Sequence, residues 1–79
     1  MAHRYLDLFF EQFKGLEEKA VKLPEGNVKQ HINKIIVYLR ENFPLAYLEA
    51  GNRKSVKLEK MLDEIEVLVD QIRRAVKDI

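Results

Sequence analysis

The apolar rhythm is cleanest in the C-terminal third of the chain. Leu58, Met61, Ile65, Leu68, Ile72, Ala75 and Ile79 alternate spacings of three and four without a break. This is the a/d seam of helices packed at small angles. Leu62, Val69 and Val76 each follow a d position. The stripe is therefore three residues wide per heptad, which suits a bundle core better than a two-stranded coil. Ser55 or Asn52 can cap the start, and Arg73, Arg74 and Lys77 complement the dipole at the end. The pattern predicts a helix over 55–78.

The N-terminal third repeats the rule. Leu6, Phe9, Phe13, Leu16, Ala20 and Leu23 alternate three and four, and Phe10 widens the stripe. Pro24 and Gly26 stop it, giving a helix over 3–23. Gly15 falls on the outer face. A middle helix opens at Asn27, where Asn27 and Gln30 resemble a capping box. Val28, Ile32, Ile35 and Leu39 mark its inner face.

Pro44 interrupts this middle segment. A helix stopping before it would run about 24 Å, against roughly 32–36 Å for its neighbours at about 1.5 Å per residue. Continuing to Ala50 equalises the lengths and keeps the phase, because Phe43, Ala46 and Ala50 extend the inner face. Gly51 then offers a left-handed stop. The reading taken is one helix over 27–50, bent at Pro44. The rival ends it at Phe43 and makes 44–50 a short fourth helix with Pro44 at its first position. The expected fold is all-α: one domain over 1–79, an antiparallel three-helix bundle.

That bundle has more apolar surface than its seams use. Tyr38, Leu45 and Leu48 lie together on a flank of the middle helix, with Tyr47 nearby, and Tyr5 and Leu8 fall off the main stripe of the first. Contiguous exposed apolar surface marks an interaction site. These six residues form the candidate protein interface. The simplest partner is a second copy in a symmetric homodimer, which would give a larger helical bundle. Another helical protein is the alternative partner.

Length strengthens this expectation. A chain of 79 residues buries only about 60% of its unfolded surface and is marginal alone. It has no cysteine to supply disulfides, which suits a reducing cytoplasm, the expected compartment. The longest apolar run is Ile35–Leu39, far short of the roughly 20 residues a spanning helix needs. The N-terminus has acids inside its apolar part and does not read as a secretory leader. Fourteen basic and thirteen acidic residues leave a net charge of +1, so no general field draws nucleic acid or anionic membrane.

Candidate chemistry is sparse. Arg53, Lys54, Lys57 and Lys60 cluster around the start of the third helix, where a helix N-terminus favours phosphate. They are the candidate residues for an alternative role in binding phosphate or nucleic acid. The cluster lacks interleaved aromatics, and acids follow within two turns. His31 begins the stretch HINKII, with Lys34 three residues on. Over four residues this resembles the phospho-accepting segment of histidine phosphotransfer domains, and the resemblance implies an exposed, phosphorylatable His31 on a helical bundle. Ile35 stands where that family commonly has glycine, and the chain is short for such a domain. The bland reading is a flank histidine beside the core.

No Glu-x-x-His pair exists for a di-metal bundle, since Val28 stands three before His31, and His3 lies at the chain end. Asp63, Glu64, Glu66 and Asp70 read as a solvated acidic face beside Lys60 and Arg74. All-helical chorismate mutases converge arginines and a lysine inside the bundle, whereas the basic residues here sit off the apolar seams. No cofactor and no small-molecule substrate is expected, and the expected function is non-catalytic.

Overall fold

The computed structural model describes residues 4–52 and 55–77. Among these it holds three helices and no strand: α1 (Arg4–Ala20), α2 (Asn27–Ala50) and α3 (Val56–Ala75). His3, Ile79 and the cluster members Arg53 and Lys54 lie outside the described residues. Early in α1, Asp7 meets Tyr47 late in α2, while Glu17 late in α1 meets Arg40 earlier in α2. In the same way Tyr38 meets Glu64, and Glu49 meets Ser55. Each neighbour therefore runs antiparallel to the last, in a rod of 42 × 18 × 16 Å.

The core follows the expected stripes. Leu6, Phe13, Ala20 and Leu23 face Ile32, Ile35, Ile36, Leu39, Phe43 and Ala46, and Leu58, Ile65, Val69, Ile72 and Val76 close the third side. Phe43 is the largest fully buried side chain. The rings of Phe10 and Phe13 lie 5.1 and 5.2 Å from it, so aromatic edges and faces tie α1 to α2. The third residue of the α3 stripe belongs to the core, because Val69 and Val76 are more deeply buried than Leu68 and Ala75.

α2 runs unbroken through Pro44, so the split into a fourth helix does not occur. Proline lacks the N–H that Arg40's carbonyl would accept. Pro44 and Arg40 are both exposed, so the lost bond falls on the solvent side of α2.

The helix ends depart from expectation in ways backbone chemistry explains. α1 stops at Ala20, three residues early. Lys22 and Leu23 donate to the carbonyls of Lys19 and Ala20 at 3.0 and 3.1 Å, a tightened last turn. Leu23 precedes Pro24 and is disfavoured in the α conformation, yet it stays buried. At the start of α2 no side chain caps the helix. Gly26 occupies the N-cap at φ 153°, and Asn27 is already the first helical residue, so the Asn27–Gln30 box does not form. Only glycine takes that backbone angle without strain. At the other end Gly51 is right-handed, φ −71°, not left-handed. The orphan carbonyls of Leu48 and Glu49 are met instead by the amides of Gly51 and Asn52, at 3.3 and 2.9 Å. Ser55, not Asn52, caps α3: its Oγ accepts from the Leu58 amide at 3.0 Å.

Val28, expected on the inner face, is 59% exposed, and Ile36 takes its place in the core. Val28 lies about three turns before Arg40. α1 has less than one turn left beyond Arg40's partner Glu17, so Val28 overhangs the end of its neighbour.

Candidate interaction surface

The side of α2 that meets α3 is a long groove. One half is lined by Tyr38, Asn42, Leu45, Leu48 and Glu49 from α2 and by Lys57, Lys60, Met61 and Glu64 from α3. The other half is lined by His31, Lys34, Ile35 and Tyr38 with Glu64 and Leu68. Tyr38 and Glu64 belong to both halves, and the Tyr38 hydroxyl donates to the Glu64 carboxylate between them. That bond, then desolvation and the carboxylate's charge, raise the Tyr38 pKa above its ordinary value.

Leu45 and Leu48 are 53% and 77% exposed, and Tyr38 41%. They are not folded inward by the proline. Tyr47 goes the other way around α2: its hydroxyl donates to Asp7 at 2.6 Å and its ring stands edge-on to Phe10 at 6.0 Å. Tyr5 and Leu8 are exposed on α1 and do not line the groove. The six candidate residues thus divide, with Tyr38, Leu45 and Leu48 on one flank. Met61, Glu49 and Glu64 complete that flank and were not foreseen in it. Met61 was expected in the seam and Glu64 on the solvated acidic face; in the structure Met61 is half-buried and both line the groove.

Lys57 and Lys60 are exposed in the same groove, with Glu49 and Glu64 beside them. His31 is exposed at the groove rim near Lys34. On the outer face of α3, Asp70 pairs with Arg74 at 2.9 Å and Arg73 at 3.7 Å. Among the described residues no cluster of three metal-ligating side chains forms, and no helix is long and apolar enough to cross a membrane. Compared with protein-family models, curated proteins and solved structures, the chain matches none.

Proposed function

We propose that this chain is a small non-catalytic helical module that acts through protein–protein association, with a second copy of itself as the primary partner. As a regulatory or adaptor unit it would also engage another helical protein through the same flank. One observation carries the reading: Leu45 and Leu48 stay exposed beside a core that closes without them. Large apolar side chains grouped in a groove between two helices are what a partner helix buries. A chain this short also gains most from such burial.

Self-association makes thermal stability depend on protein concentration. The wild-type melting temperature should rise across a dilution series from low to high micromolar. Leu45→Glu should keep its helicity and lose that dependence. A wild-type melt that is flat with concentration would contradict the proposal.

A further inference from the structure

The groove carries its own complement. On one side of its middle stands Leu45 and on the other Tyr38, both exposed and both lining the groove. Tyr38 and Leu45 are about 10 Å apart along α2 at about 1.5 Å per residue, and their midpoint falls at Glu41–Asn42. The charges repeat the arrangement. On α2, Lys34 and Glu49 lie at equal steps to either side of Glu41–Asn42. On α3, Lys60 and Glu64 lie to either side of Leu62. The contacts of Tyr38 with Glu64 and of Glu49 with Ser55 set α3 against α2, and they bring Leu62 level with Glu41–Asn42.

Some surface charges pair within the copy: Glu17 with Arg40, Glu25 with Lys29, and Asp70 with Arg74. In the groove, Lys34 and Lys60 have no ion-pair partner among the described residues. Glu49 and Glu64 accept only the neutral hydroxyls of Ser55 and Tyr38, which leaves their charge uncompensated.

We infer that a second copy of this chain docks groove to groove about a two-fold axis that crosses α2 at Glu41–Asn42 and α3 near Leu62. Each α2 runs antiparallel to that of the other copy, and every contact is made twice. Tyr38 of each copy packs on the other copy's Leu45, Lys34 meets the other copy's Glu49, and Lys60 meets the other copy's Glu64. Opposite charges that rim a shared apolar centre fix register and exclude sliding. This arrangement rests on the self-association proposed above and specifies its geometry.

Because the sequence has no cysteine, one introduced thiol reports on its own counterpart. Glu41→Cys, at an exposed position on the axis, should form a disulfide-linked dimer under mild oxidation. Leu48→Cys should not, since its counterpart lies about 20 Å along the groove. Lys34→Glu should weaken the dimer about tenfold through two like-charge contacts, and Glu49→Lys should weaken it similarly. Lys34→Glu combined with Glu49→Lys should recover most of the loss. A single-copy mass for the wild type by light scattering would overturn both this arrangement and self-association. A wild-type dimer in which Glu41→Cys fails to cross-link, Leu48→Cys does cross-link, or the double variant is no tighter than the singles would overturn the arrangement alone.

Discussion

Gly15 sits inside α1 with no tertiary neighbour within 4 Å of the place a Cβ would occupy. Glycine there costs backbone entropy and makes no close approach in return. Gly15→Ala should therefore stabilise the fold by about 0.5–1 kcal/mol, read from the urea midpoint. Tyr47 shows a residue-scale effect of the opposite kind. Burial, the bond to Asp7 and the charges of Asp7 and Glu11 push its pKa from 10.0 up to about 12. The folded state thus favours the neutral phenol. The stability this brings is fully present below about pH 10 and is lost as pH rises through about 12. Tyr47→Phe should remove that phase of alkaline destabilisation from a pH series of unfolding curves. At neutral pH it should cost only about 0.5 kcal/mol, the low end for a hydrogen bond at a partly exposed site.

At the scale of elements, Pro44 is the clearest case. Its ring removes one donor from α2 at a cost of about 3 kcal/mol in a helix interior, while stiffening the unfolded chain by up to about 1 kcal/mol. Pro44→Ala should raise unfolding free energy by about 2 kcal/mol, measured by denaturant titration at neutral pH. The persistence of α2 through this residue was legible from matched helix lengths and from the phase of Phe43 and Ala46. That α3 is a helix was legible outright, because a three-four alternation has one helical solution; its seam is turned from the expected one, since Val69 and Val76 are buried and Met61, Leu68 and Ala75 are only half-buried. The caps were not. Asn27 has the right side chain, but Gly26 already supplies the extended N-cap backbone, so the asparagine enters the helix. Val28 has the right angle on the wheel, but periodicity fixes angle and says nothing about axial overhang.

For the whole molecule, the sequence left handedness open. A third helix can lie on either side of an antiparallel pair, and the apolar period is the same in both cases. This is why Tyr38 and Tyr47, both off the α2 stripe, could not be assigned to different neighbours. The structure turns Tyr47 toward α1 and Tyr38 toward α3, and Leu45 and Leu48 stay exposed on the second flank. The surplus of large hydrophobes around Leu45 and Leu48 was itself readable, since it needed only the count of apolar positions beyond one buried face. What covers that surplus decides whether the chain works alone or paired. Light scattering of the purified chain at high micromolar concentration, beside Leu48→Glu at the same concentration, tests it most directly. Twice the 9.3 kDa chain mass for the wild type, falling to one chain mass for the variant, is the expected result. A wild type that stays at one chain mass, indistinguishable from Leu48→Glu, would contradict it.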